Sequence, residues 1–89
     1  MSTPTKVALI TGATRGIGRA IALSLPPSYS IVTSYLSDTT SASSLVSQLG
    51  ADRCLAVQAD AGKPSDIDKL VSAAVAKFGK IDIVIPNGT

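Results

Sequence analysis

Gly12, Gly16 and Gly18 carry the clearest chemical signal in this chain. They fall in the run Lys6-Val7-Ala8-Leu9-Ile10-Thr11-Gly12-Ala13-Thr14-Arg15-Gly16-Ile17-Gly18, between a short apolar segment and one with helical spacing. Backbone N–H groups approach a phosphate closely only where side chains are absent, and a helix start adds orphan donors and partial positive charge. Gly12 permits a tight exit from the strand. Gly16 and Gly18 clear the way for a pyrophosphate and for close packing of the helix on the sheet. The spacing is Thr-Gly-x-x-x-Gly-x-Gly rather than the commoner Gly-x-Gly-x-x-Gly, and glycines alone also suit an ordinary strand-to-helix turn. The strand before and the helix after them select dinucleotide binding.

Other reactive groups are few. The sequence has no histidine, which excludes imidazole catalysis and most zinc sites. The single cysteine, Cys54, sits in an apolar segment and reads as a small buried hydrophobe. The scattered serines read as helix surface and cap positions. No catalytic residue and no metal ligand is assigned.

The elements that must position the glycines follow from the hydrophobic period. Val7 to Ile10 is a continuous apolar run, as in a strand buried on both faces. Ile17, Ala20, Ile21 and Leu25 then recur at helical spacing, and Pro26-Pro27 ends that helix. Ile31 to Tyr35 predicts strand two. Ala42, Leu45, Val46 and Leu49 form a second helical stripe ending at Gly50. Leu55 to Ala59 predicts strand three. Pro64-Ser65-Asp66 opens a third helix with an inner face of Ile67, Leu70, Val71, Ala74 and Phe78, stopped by Gly79. Ile81 to Ile85 predicts strand four. The expected fold is α/β: a Rossmann-type doubly wound parallel sheet, βαβαβαβ, in strand order 3-2-1-4, with strand four an exposed edge where the fold is cut.

Size and charge bound the rest. The 89 residues make one domain at most, a partial nucleotide-binding domain over residues 1–89. A chain this short buries only about 60–68% of its unfolded surface, so its stability is marginal. Net charge is +2 and only 16% of residues are charged, which argues against disorder. The basic residues are dispersed, so no nucleic-acid face is expected. No apolar stretch reaches transmembrane length and the N-terminus lacks a secretory core, so a soluble cytoplasmic protein is expected.

Thr11-Gly12-Ala13-Thr14-Arg15-Gly16-Ile17-Gly18 resembles the cofactor motif of the short-chain dehydrogenase/reductase family. Val57-Gln58-Ala59-Asp60 is similar to the end of that family's third strand, and Phe78-Gly79-Lys80-Ile81-Asp82-Ile83-Val84-Ile85 to its junction into strand four. Asn87 falls where the family has the second asparagine of Asn-Asn-Ala-Gly, although here the segment reads Ile85-Pro86-Asn87-Gly88-Thr89. The resemblance runs from Lys6 to about Asn87 and matches the first third or so of a member of usual length.

It implies a nicotinamide dinucleotide as cofactor. Gly12, Gly16, Ile17 and Gly18 would surround the pyrophosphate, Asp60 and the Ala61 backbone the adenine, and Asn87 the nicotinamide ribose, while Thr14 and Ser37 could donate hydroxyl hydrogen bonds beside Arg15. Strand two ends Ser34-Tyr35-Leu36-Ser37 with no acid at its tip, where NAD-selective sites place one for the ribose hydroxyl. Arg15 sits in the glycine loop, where NADP-preferring relatives often carry a basic residue able to pair with a 2′-phosphate. Tyr35 and Ser37 fall at the same end. The competing acid, Asp38, is expected on the following loop. NADP(H) is therefore favoured over NAD(H). The family protonates its carbonyl substrate with a tyrosine followed four residues later by lysine. Tyr29 is followed at that spacing by Thr33, and Tyr35 by Thr39. The expectation is the N-terminal, NADP(H)-binding portion of a carbonyl or alcohol oxidoreductase, inactive as this chain alone. The alternative is a short non-catalytic protein that binds a dinucleotide or a partner; oligomeric state is left open.

Overall fold

In a computed structural model, which describes residues 6–14 and 16–87, four parallel strands and three helices alternate. They are β1 (Lys6–Ile10), α1 (Gly16–Ser24), β2 (Tyr29–Tyr35), α2 (Thr39–Leu49), β3 (Cys54–Gln58), α3 (Pro64–Phe78) and β4 (Ile83–Ile85). The sheet order is β3-β2-β1-β4, as the sequence predicts. All strands run the same way, so their carboxyl ends share one edge, and the chain reverses its winding direction beside β1.

Side-chain alternation divides the core between the two faces of the sheet. On one face, Ala8, Ile10, Ile31 and Cys54 pack with Ala22 of α1 and Leu45 of α2. On the other, Val7, Leu9 and Val32 pack with Leu70 and Ala74 of α3. Cys54 is buried as expected, and burial pushes its thiol up to about 11.

Local chemistry sets the helix ends. Asp38 caps α2, its carboxylate accepting from Ser41 N–H at 2.9 Å and Ser41 Oγ at 2.7 Å. Gly79 ends α3 with a left-handed φ of 84° and donates its N–H to the Val75 carbonyl at 2.8 Å. Arg53 closes the connection after α1, donating from Nε to the Tyr29 carbonyl at 2.7 Å and from its terminal nitrogen to those of Leu25 at 3.0 Å and Pro26 at 2.7 Å.

The structure corrects several sequence expectations. In α1 the buried positions are Gly18 and Ala22. Ile17 is 75% exposed and Ala20 is also exposed. The cause is Gly18, which lies so close to the preceding turn that the helix rotates its smallest residues onto the sheet. In α3, Val71 lies outside the inner face. Leu70 and Ala74 centre a narrow stripe, with Phe78 packed against it. Exposed Val71 and Val75 flank that stripe. Strand β2 begins at Tyr29 and β3 at Cys54, both earlier than expected, because Lys6 aligns with Tyr29 and Ile31 with Cys54.

Strand β4 begins at Ile83 rather than Ile81 because Asp82 interrupts the ladder. The Asp82 carboxylate accepts from Val7 N–H at 2.8 Å, while Asp82 N–H donates to the Val7 carbonyl at 2.8 Å. The Val7 hydrogen bond, helped by Lys80, holds the carboxyl of Asp82 below its usual range. A depressed native pKa contributes stability above the unfolded value of about 3.9 and loses it as pH falls through the lower native value. Asp82→Asn is therefore expected to lower the urea midpoint near neutral pH, with the difference from the unmodified chain shrinking below about pH 4.

Candidate functional site

The connection from β1 to α1 is held open by three sets of hydrogen bonds. Gly12 has a φ of 67° and Gly16 a φ of 63°, a region that side-chain-bearing residues enter only at a cost. Gly12 N–H donates to Ser34 Oγ at 3.2 Å, and Ala13 N–H to Thr33 Oγ1 at 2.8 Å. Thr33 and Ser34 are buried within β2, and no buried side-chain polar atom among the described residues lacks a partner. The two hydroxyls thus anchor the turn from below. From the β4 side, Asn87 N–H donates to Thr11 Oγ1 at 2.9 Å and Asn87 Nδ2 to the Gly12 carbonyl at 3.3 Å.

Gly18 is the tightest point. A Cβ there would lie 2.7 Å from the Gly12 carbonyl oxygen and 2.9 Å from Ala13 Cα, and would also strike Asn87 Nδ2. The start of α1 consequently presses directly on the turn. Gly12 and Ala13 already donate to β2, whereas the first turn of α1 has donors to spare. There the N–H groups of Gly16, Ile17 and Gly18 have no intrahelical acceptor. Gly16 has open space where its Cβ would be.

Beside this turn lies a pocket of about 420 Å³ lined by Thr14, Gly16, Arg19, Thr40, Ser41 and Ser44. Five of these six residues carry polar side chains, and the pocket sits where α1 and α2 both begin. The rotation that exposes Ile17 leaves its side chain outside the core at the same helix start.

The remaining sequence-predicted positions are spread along the same sheet edge. Tyr35 lines a separate depression with Ala42, Ser43, Val46, Ser47 and Ala56, so the structure does not join it to the glycine turn. Ser37 is exposed and its carbonyl accepts from Thr39 N–H at 2.9 Å. Asp60 lies in a third depression, of about 350 Å³, with Leu36, Gln58 and Asp66 among its lining residues. One of its oxygens accepts from Gly62 N–H at 2.8 Å, and its own N–H donates to Asp66 Oδ2 at 2.7 Å. Ala61 is half-buried in the turn that follows. Arg15 lies outside the described residues, as do Gly88 and Thr89.

Sequence reasoning missed Thr33, Ser34 and Arg19. The signal for the first two was available: consecutive hydroxyls inside a buried strand must find partners. Among the described residues no cluster of three or more His, Cys, Asp or Glu side chains could hold a metal ion. No helix there is long and apolar enough to cross a membrane.

A parallel sheet in this order, with a glycine turn and a helix start at its switch point, defines a Rossmann-type nucleotide-binding unit. A family model described as short chain dehydrogenase matches residues 6–89, and the chain belongs to the short-chain dehydrogenase/reductase family of oxidoreductases. The 3-oxoacyl-[acyl-carrier-protein] reductase of Synechocystis sp. is 36% identical over 85 residues, covering 92% of this chain and 34% of that relative. Among solved structures, a 3-oxoacyl-reductase from Bacillus thuringiensis superposes with a TM-score of 0.88 at 37% identity, covering 94% of this chain and 36% of the other. A 3-ketoacyl-(acyl-carrier-protein) reductase from Brucella melitensis, complexed with NADH, gives a TM-score of 0.75 at 40% identity, with 89% and 32% covered. The chain thus spans about a third of the length of the relatives it matches.

Proposed function

We propose that the chain is the NADP(H)-binding portion of a cytoplasmic short-chain carbonyl or alcohol oxidoreductase. The observation that carries this reading is Gly18, wedged without room for a Cβ against Gly12 and Ala13. The wedge brings the first turn of α1 to the rim of a polar pocket. The residues present fit a dinucleotide. Gly16, Ile17 and Gly18 offer backbone donors for the pyrophosphate, with Gly12 shaping the turn and Thr14 lining the pocket. Asp60, with one oxygen free of hydrogen bonds among the described residues, and Ala61 would face the adenine. Asn87, fastened to Thr11 and Gly12, would face the nicotinamide end.

When bound, the cofactor supplies hydride at its nicotinamide ring. This chain's residues hold and orient it, and none is assigned to proton transfer. The preference for the 2′-phosphorylated form rests on two features. Arg15 stands in the glycine loop by sequence, and Tyr35 and Ser37 at the β2 end bring no acid. Asp38, the next carboxylate in sequence, caps α2 through both of its oxygens, so it is engaged by the helix start and not aimed at a ribose hydroxyl.

Fluorescence titration with NADPH and NADH tests this reading. The unmodified chain is expected to bind NADPH more tightly. Arg15→Ala is expected to reduce the NADPH-over-NADH ratio by about tenfold, the loss of roughly 1.4 kcal/mol from one charge-assisted contact. A ratio unchanged by the substitution would refute the NADP(H) assignment.

A further inference from the structure

We propose that Arg19 is a positioning residue that sets the distance between the glycine turn and the β2–α2 connection. A dinucleotide must bridge these two places, so the inference rests on the binding function proposed above. Arg19 belongs to α1, yet its guanidinium leaves its own helix entirely. One terminal nitrogen donates to the Thr14 carbonyl at 3.2 Å and to the Ser41 carbonyl at 3.4 Å. The other donates to Ser44 Oγ at 3.1 Å and to Gln48 Oε1. Ser41, Ser44 and Gln48 follow one another along a single ridge of α2, so the planar fork lies along that ridge and reaches back to the turn.

Apolar packing also joins α1 to the core that holds Leu45 of α2, with Ile21, Leu25, Val46 and Leu49 around it. The buried residues of α1 are Gly18 and Ala22, neither bulky enough to act as a spacer against α2. Ser41 is tied from both sides: its N–H and hydroxyl go to Asp38, and its carbonyl goes to Arg19. The bonds therefore run unbroken from the end of β2, through the α2 cap, to Thr14. The four donors on the terminal nitrogens already meet protein acceptors, so Arg19 acts through geometry rather than as a free anchor for a phosphate. Its bond to Thr14 also offsets the negative end of a carbonyl at the pocket wall, where an anion would otherwise be repelled. A lysine, with a compact ammonium on a flexible stem, cannot span these four acceptors in one plane.

The test compares Arg19→Met, Arg19→Lys and the milder Gln48→Ala in the full chain. NADPH spans both places, whereas adenosine 2′-monophosphate, which lacks the 5′-phosphate, reaches only the β2–α2 connection. Loss of a fixed spacing penalises the linked ligand and spares the fragment. Arg19→Met is expected to weaken NADPH about tenfold while changing adenosine 2′-monophosphate less than about twofold. Arg19→Lys should fail to restore NADPH binding, and Gln48→Ala should shift it in the same direction by less.

In the ligand-free chain, amide exchange should speed up at the bonded amides of Ala13, Ser41 and Ala42 in Arg19→Met and stay unchanged at Leu9 and Val32. Equal losses for NADPH and adenosine 2′-monophosphate, or full rescue by lysine, would make Arg19 a simple charge anchor and overturn the proposal. Exchange accelerated everywhere, or nowhere, would also overturn it. If the unmodified chain binds no nucleotide, the function proposed above fails, and the exchange measurement alone decides the role of Arg19.

Discussion

Gly18→Ala is expected to cost this chain its dinucleotide affinity by about 10–100-fold, or roughly 1.4–2.7 kcal/mol. The added methyl would lie 2.7 Å from the Gly12 carbonyl oxygen and 2.9 Å from Ala13 Cα. Both neighbours are backbone, so no side chain can swing aside. Either α1 lifts away from the turn or the turn slides along β2, breaking the bonds to Thr33 and Ser34. Both outcomes move the first-turn donors from where a pyrophosphate would sit. Overpacking of this kind also destabilises a fold by about 1–3 kcal/mol. Gly16→Ala provides the contrast. Its Cβ meets nothing within 4 Å, so its penalty comes only from a φ of 63°, about 1–2 kcal/mol. Isothermal titration with NADPH, beside a urea melt of each variant, separates the two effects.

Leu70→Ala is expected to remove about 2–5 kcal/mol of stability while leaving the affinity of the folded fraction intact. Leu70 is fully buried and packs with Val7, Leu9, Val32 and Ala74. The glycine turn belongs to the opposite face, where Ala13 packs among Ile10, Ala22 and Leu45. The cavity would thus open across the sheet from the site. Domains of this kind hold only about 5–15 kcal/mol in total, so the urea midpoint should fall steeply. A parallel collapse of NADPH affinity under fully native conditions would show that the two faces are coupled.

The parallel sheet and its strand order were legible in the sequence. Strands buried on both faces give unbroken apolar runs, and Val7 to Ile10 is such a run. Short crossovers force parallel pairing, which yields the order β3-β2-β1-β4 without further information. Gly50 and Gly79, which donate to the Val46 and Val75 carbonyls, were legible as helix stops for the same local reasons.

What resisted reading was set by contacts between elements. Hydrophobic spacing placed Ile17 and Ala20 inward, but the approach of Gly18 to Gly12 turned α1 so that they face outward. Asp82 looked like part of a strand until its carboxylate is seen holding Val7 N–H in place of a ladder acceptor. Thr33 and Ser34 look like ordinary strand residues, yet they occupy the Ala13 and Gly12 amides. Two amides of the turn are thereby occupied, and the N–H groups left without an intrahelical acceptor begin at Gly16. Arg19 gave no sign in the sequence, because its four acceptors lie in other elements.

Two-dimensional amide spectra of the purified chain during titration with NADPH test the central claim most directly. The account expects saturable displacement of the Gly16, Ile17 and Gly18 resonances, with those of Gly12 and Ala13 moving less because they stay bonded to Ser34 and Thr33. Saturation that leaves the first turn of α1 unmoved would contradict it, wherever else the nucleotide bound.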